Sequence, residues 1–242
     1  AAAVGAAAGV VRRDPHALVK ALPPTGNDVG LSLAGVHVQV LDGGEYLFSD
    51  RPCVFLFNHQ SKLDLPVMIN LVRSDATGVA KKEVQRVPVL GEILRQAGLV
   101  FIDRTNRGKA IEQLAPAVKA LRDDGMSLIV APEGTRSPTR GSGGFKKGPF
   151  HIAMQAGVPI VPVVLRNTGE LMWRGAQLIR PGGTVEVMVL PPVDTSEWTA
   201  DEIGTRAEEV RQMYVTALAD WPLESFVDDA VESLRRQPEE DR

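Results

Sequence analysis

Residues 53–64 read Cys-Val-Phe-Leu-Phe-Asn-His-Gln-Ser-Lys-Leu-Asp. The opening apolar run has the pattern of a short strand buried on both faces. It stops at two polar residues, so the strand's C-terminal end delivers Asn58 and His59. Helical spacing then runs from Leu65 to Val72. Asp64 stands near the start of that helix, and Pro66 falls in its first turn, where a missing N–H is tolerated. Strand, polar turn and helix in succession form the unit from which parallel α/β sheets are built.

The same alternation extends outward. Strands are predicted at 36–40, 77–80, 99–102, 127–131, 160–165 and 184–190, and helices at 87–97, 108–121, 150–156 and 200–218. Gly98 and Gly125 stop two of the helices. Residues 108–121 carry the clearest amphipathic stripe, Ile111, Leu114, Val118 and Leu121. These elements predict an α/β domain with a mostly parallel sheet flanked by helices. Active sites of such sheets gather outside the C-terminal ends of the strands. Three strands end there in chemically useful residues: Asn58-His59, Asp103-Arg104 and the run Glu133 to Arg136.

The 242 residues carry 27 Lys+Arg against 30 Asp+Glu, a net charge of −3, which excludes a wholly basic nucleic-acid coat and predicts no nucleic-acid partner. Seven acids and three Arg in 222–242 give that stretch −4, leaving +1 for 1–221. We therefore divide the chain into an N-terminal segment (1–35), a domain (36–221) and an acidic C-terminal tail (222–242). Pro23-Pro24-Thr25-Gly26-Asn27-Asp28 is a breaker cluster in the first segment. The opening AAAVGAAAGVV is read as the tail of a membrane-associated segment whose upstream part is missing; a frayed Ala-rich helix end fits the same residues. The lone Cys53, set in an apolar run, reads as a core residue and fits a reducing compartment.

His59 and Asp64 are five apart. With His59 ending a strand and Asp64 opening a helix, the turn can fold the carboxylate onto imidazole Nδ1. That contact fixes the tautomer and frees Nε2 to accept a proton from a substrate hydroxyl. A structural His capped by Asp fits the pair alone equally well. Arg104 offers a planar fork to a phosphate or carboxylate, or pairs with Asp103 or Glu133. In Glu133-Gly134-Thr135-Arg136, the glycine permits close backbone approach, Thr135 supplies a hydroxyl and Arg136 a second fork. Lys81 and Lys82 end another strand, and Lys146-Lys147 precede a helix start, a natural anion site. No Walker-type or dinucleotide-binding glycine pattern occurs, and no His, Asp or Glu spacing predicts a metal site.

At this point the chain resembles the glycerolipid acyltransferases, typified by 1-acyl-glycerol-3-phosphate acyltransferase. NHQSKLD at 58–64 is similar to their Asn-His-x4-Asp block, FIDR at 101–104 to their second, PEGTRS at 132–137 to their third and VPIVPVVL at 158–165 to their fourth. The blocks stand in the family order, and the resemblance extends over about 36–220. It implies a glycerol-3-phosphate acyltransferase-like fold. The implied reaction moves a fatty acyl group from acyl-CoA or acyl-carrier protein to the hydroxyl of 1-acyl-glycerol-3-phosphate, giving phosphatidic acid. Glycerol 3-phosphate, a lysophospholipid or a glycolipid are alternative acceptors, and a non-catalytic lipid-binding module is the distant one. By resemblance His59 is the base and Asp64 its partner; Arg104, Glu133, Gly134, Thr135 and Arg136 match acceptor-binding positions; Lys81 is a further phosphate candidate. Pro159 and Pro162 look structural or acyl-facing. No metal or other cofactor is implied beyond the thioester co-substrate. The expected partners are a membrane surface, a lysophospholipid acceptor and the thioester donor. The expected location is the cytoplasmic face of a membrane, with the protein peripheral or anchored by a missing upstream segment. Family members usually dock through an N-terminal hydrophobic helical element, and only about 35 residues precede the first strand here.

Overall fold

The structure is a computed structural model that describes residues 28–86, 99–102, 112–137, 143–172, 176–219 and 221. The readings of 1–27, of the helix at 87–97, of Asp103, Arg104 and residues 108–111, and of the acidic tail 222–242 lie outside the described residues.

Seven strands form one sheet: β1 (Val36–Asp42), β2 (Val54–Phe57), β3 (Ala76–Lys81), β4 (Val100–Ile102), β5 (Ser127–Val130), β6 (Ile160–Leu165) and β7 (Gly183–Val189). Their order across it is β1-β7-β6-β2-β5-β3-β4. The β2–β5, β2–β6, β3–β5, β3–β4 and β1–β7 pairs are parallel, and β6–β7 is antiparallel. The expected α/β architecture is therefore present. The antiparallel step has a local cause. Among its described residues the link 166–182 contains only the four-residue helix α5 (Thr168–Leu171) and no longer helix of the kind that usually carries a parallel crossover.

The other helices are α1 (Tyr46–Ser49), α2 (Asp64–Val72), α3 (Ala115–Arg122), α4 (Gly148–Ala156) and α6 (Ile203–Ala219). Neither α1 nor α5 is signalled in the sequence, because four residues are too few to display a helical period. The helix expected at 108–121 is, in its described part, a 3₁₀ turn (Glu112–Leu114) followed by α3. Pro116 supplies the reason: it has no N–H for the carbonyl four residues earlier, so regular α-helix begins around it. A helical stretch at 28–33 packs Leu31 into the core, and Asp28 accepts hydrogen bonds from Asn70 at 2.5 Å and Arg73 at 3.1 Å.

The sheet separates two apolar clusters. Val54 and Leu56 of β2 face a cluster with Leu128, Ile160, Leu121, Phe150, Ile203 and Tyr214. Phe55 and Phe57 face the other, with Val163, Leu165, Leu63, Val67 and Met68. All four β2 residues are buried, as a central strand covered on both faces requires. Cys53 is fully buried, and burial pushes its thiol up to about 12. Pro159 and Pro162 serve as acceptors for the Val54 and Leu190 N–H groups, a structural use of both. Among the described residues no helix is long and apolar enough to cross a membrane.

The corner after β1 depends on one glycine. Gly43 has φ +69°, and a Cβ there would stand 1.9 Å from the Val189 carbonyl oxygen. At Gly44 a Cβ would meet only the Val40 side chain, at 3.4 Å. Gly43→Ala is expected to lower the unfolding free energy by more than the ~1 kcal/mol typical of a left-handed non-glycine residue. Gly44→Ala should cost much less. Urea midpoints of the two variants, measured side by side, check this; equal midpoints would contradict it.

Candidate active site

Strands β2, β3, β4, β5 and β6 run the same way, so the residues that follow them emerge along one edge of the sheet. Asn58 and His59 leave β2 there, Pro132 to Arg136 follow β5, and Arg166 to Thr168 follow β6. Lys81 is the last residue of β3, on the same edge. Ile102 ends β4 at that edge, and Arg104 lies two residues beyond it, outside the described residues.

His59 Nδ1 lies 2.7 Å from Asp64 Oδ2, as the five-residue spacing predicted. The same oxygen accepts the backbone N–H groups of Gln60 at 2.7 Å and Ser61 at 2.8 Å. The other oxygen, Oδ1, accepts the Thr168 hydroxyl. Asp64 has no solvent exposure, and it stands in the first turn of α2, where the helix favours negative charge. A carboxylate held this way only accepts, so the imidazole carries its proton on Nδ1 and keeps a lone pair on Nε2. His59 is 25% exposed, and its ring packs edge-on against Phe57, with centroids 5.8 Å apart. The site thus couples a buried, fully hydrogen-bonded carboxylate to a histidine that reaches solvent.

The loop after β5 is stitched to the same histidine. The His59 N–H donates to Glu133 Oε1 at 3.2 Å, and the Ser137 N–H donates to the His59 carbonyl at 2.6 Å. Glu133 also accepts the Gly143 N–H. Lys146 N–H donates to Pro132 O at 2.7 Å, closing the loop on itself. Glu133 is buried, and desolvation pushes its carboxyl above the usual range despite these donors. The third motif is therefore organised around backbone groups of the first.

Gly134 has φ +73°, so its position in this turn is one of backbone conformation; its N–H donates to Ala131 O at 3.2 Å. Thr135 is exposed. Arg136 is half-buried, and its buried Nη1 has no hydrogen-bond partner among the described residues. A cationic donor left in that condition is receptive to an anion. Lys147, expected in an anion-receptive helix start, has its ammonium against Gly204 of α6 and depresses the pKa of His151 together with burial. Among the described residues no group of three or more His, Cys, Asp or Glu side chains is arranged to hold a metal ion.

Several contacts that hold the site were not visible in the sequence. The Asn58 amide donates to Leu165 O at 2.7 Å and accepts from Leu165 N at 2.8 Å, extending the β2–β6 pairing with a side chain. Ser61 Oγ donates to Met172 O at 2.7 Å. With Thr168, these contacts join positions more than a hundred residues apart, a distance over which no local pattern is readable.

A family model described as Acyltransferase matches residues 39–166, more than half of the chain. The chain belongs to this acyltransferase family. Among similar proteins, the 1-acyl-sn-glycerol-3-phosphate acyltransferase of Limnanthes alba is 36% identical over 77% of this chain and 65% of its own length. That of Salmonella typhimurium is 36% identical over 69% of this chain and 67% of its own. The chain thus spans about two thirds of the length of these acyltransferases. The crystal structure of the 1-acyl-sn-glycerophosphate acyltransferase from Thermotoga maritima superposes with a TM-score of 0.67 at 29% identity, covering 87% of this chain and 84% of that one. The four blocks quoted from the sequence, at 58–64, 101–104, 132–137 and 158–165, all lie within the matched residues, and 132–137 includes the histidine-linked loop.

The raised carboxyl of Glu133 has a sign that can be measured. The folded state holds its proton above 4.5, where the unfolded chain has released it, so its contribution to stability is present below 4.5 and is lost as pH rises through the folded pKa. As pH rises above 4.5, wild-type stability should fall relative to Glu133→Gln until the folded carboxyl has ionised. Urea midpoints of both proteins at several pH values check this, and parallel pH curves would contradict it.

Proposed function

We propose that this acyltransferase moves a fatty acyl group from an acyl-CoA or acyl-carrier-protein thioester to the free hydroxyl of 1-acyl-glycerol-3-phosphate, forming phosphatidic acid. The observation that carries the reading is the His59–Asp64 contact on a buried carboxylate, in a chain similar to proteins named for that reaction.

The thioester is already activated, so the protein needs no covalent intermediate. The acceptor hydroxyl attacks the thioester carbonyl carbon as His59 Nε2 takes its proton. Asp64 stabilises the imidazolium that forms. When the tetrahedral intermediate collapses, the C–S bond breaks, the new ester C–O bond remains, and the proton passes from His59 to the departing thiolate. Atoms and charge balance without a metal or redox step. Arg136 is the group we assign to the acceptor phosphate, supported by its buried nitrogen, which has no partner among the described residues. Arg104, Lys81, Thr135 and the Gly134 turn are assigned to the same acceptor end by motif. Glu133 we assign to holding the His59 backbone, which places it beside the acceptor without requiring contact with a phosphate. A lipid acceptor and product place the protein on a membrane surface, which we take to be its cytoplasmic face. Exposed Leu33, Phe48, Leu65 and Leu178 are apolar groups suited to that setting.

Release of free CoA from an acyl-CoA, with and without lysophosphatidic acid, tests the function directly. Acceptor-dependent release is expected; release with glycerol 3-phosphate or a neutral lysolipid alone would redirect the acceptor assignment. His59→Ala should lower the rate about 10²–10⁴-fold without unfolding the protein. Asp64→Asn should also be severe, because an amide favours the wrong tautomer. Wild-type-like turnover by His59→Ala would sink the mechanism.

Arg136→Lys separates acceptor binding from chemistry. Lysine keeps the charge and loses the planar fork, so a contribution of about 1.5–3 kcal/mol should disappear as roughly a 10–150-fold fall in acceptor kcat/KM. The thioester KM should change little. If acceptor-independent thioester hydrolysis falls as far as full transfer, Arg136 serves the donor or the fold instead.

A further inference from the structure

The second oxygen of the Asp64 carboxylate points away from His59, and the partner it finds there belongs to no motif in the sequence. Thr168 opens α5, is fully buried, and donates its hydroxyl to Asp64 Oδ1. The segment that carries it is fastened to the His59–Asp64 turn on both sides. Before it, Leu165 exchanges two hydrogen bonds with the Asn58 amide. After it, Met172 O accepts the Ser61 hydroxyl, and that same hydroxyl accepts the Leu63 N–H at 3.2 Å. Residues 165–172 therefore form a bracket around the turn, with Thr168 at its centre aimed at the carboxylate.

We infer that Thr168 is a positioning residue for acyl transfer, its hydroxyl holding the Asp64 carboxylate in the rotation that keeps Oδ2 on His59 Nδ1. The inference rests on the acyl-transfer reading above. Three donors converge on Oδ2: an imidazole and two backbone N–H groups. Without Thr168, Oδ1 would be a buried anionic oxygen with its hydrogen bond unmade, and the carboxylate would turn to share the Gln60 and Ser61 donors between its oxygens. Either outcome pulls Oδ2 off the line to Nδ1. The threonine hydroxyl removes that incentive. Its β-branched side chain has few χ1 choices, so the donor is held with little rotamer freedom. Valine would fill the same space, and an alcohol is needed only if the hydrogen bond itself matters.

The test compares wild type with Thr168→Val and Thr168→Ser in the full chain. Acceptor-dependent CoA release gives kcat and both KM values. Proton NMR gives the hydrogen-bonded Nδ1–H resonance of His59, assigned by its loss in His59→Ala. Thr168→Val should lower kcat about 10–100-fold, the range for a lost hydrogen bond to a charged group. Both KM values should stay near wild type, and the Nδ1–H resonance should shift upfield or broaden away. Thr168→Ser should recover most of the rate and the resonance. Should Thr168→Val fail to fold, Thr168→Cys keeps the size and offers only a weak donor, with the same expectations. Wild-type kcat together with an unchanged resonance in the valine or cysteine variant would overturn the inference. So would failure of Thr168→Ser to recover either. If wild type releases no acceptor-dependent CoA while the resonance responds to Thr168 as stated, the reaction assignment falls and the positioning contact stands.

Discussion

A carboxylate with no exposure to water must find every hydrogen bond inside the protein, and Asp64 is such a group. Its donors come from three sources: the histidine five residues before it, the backbone of the intervening turn, and a threonine far along the chain that opens α5 just after β6, the strand beside β2. The conformation of 58–64 follows from this demand. The turn must expose two consecutive N–H groups to one oxygen, and it can do so only if β2 ends at Phe57 and α2 begins at Asp64. The β6 end must also arrive within reach, which the Asn58–Leu165 exchange secures. Replacing the carboxylate by any group with fewer acceptor sites would leave part of this arrangement without a reason to persist.

The sheet supplies the placement that a loop alone could not. Parallel pairing of β2 with both β5 and β6 sends three chain segments out of one edge in fixed register. Polar groups that leave that edge meet one another before they meet solvent. His59 is consequently held at both its N–H and its C=O by the loop after β5, while its ring is held by Asp64. A histidine fixed through backbone and side chain together has little freedom left to lose on binding, the geometric condition that proton transfer imposes on any base.

The local part of this design was legible in the sequence. Apolar runs and alternation place all seven strands, since burial on one or both faces writes directly into residue order. The His59–Asp64 contact was readable for the same reason: five residues across a strand-to-helix turn constrain where a carboxylate can reach. Helices α1 and α5 were not readable, being single turns held by tertiary contacts instead of by their own period. In the described residues 112–122, the 3₁₀ start before Pro116 shows helical spacing locally overruled by one missing N–H. Asn58 stood out only as a strand-end residue, and Ser61 and Thr168 looked like ordinary loop polars, because the partners of all three are chosen by sheet register and not by neighbours in sequence.

Glu133 shows how the two kinds of information differ. Read from its motif, it stands among residues that meet the acceptor. In the fold its carboxylate is occupied by the N–H groups of His59 and Gly143, and burial makes its ionised form costly. A carboxylate turned toward a phosphate would repel it; one turned toward the backbone of the catalytic strand end can be placed close by without that cost. The neighbouring Arg136 has the opposite condition, a buried donor with no acceptor among the described residues. Acid and base of one short loop thus divide the work. The acid is satisfied internally and shapes the loop, and the base keeps a buried donor that meets no acceptor among the described residues. A motif conveys which side chains are present. Which of them are spent on the fold, and which remain for a ligand, is settled by the hydrogen-bond ledger of the folded chain.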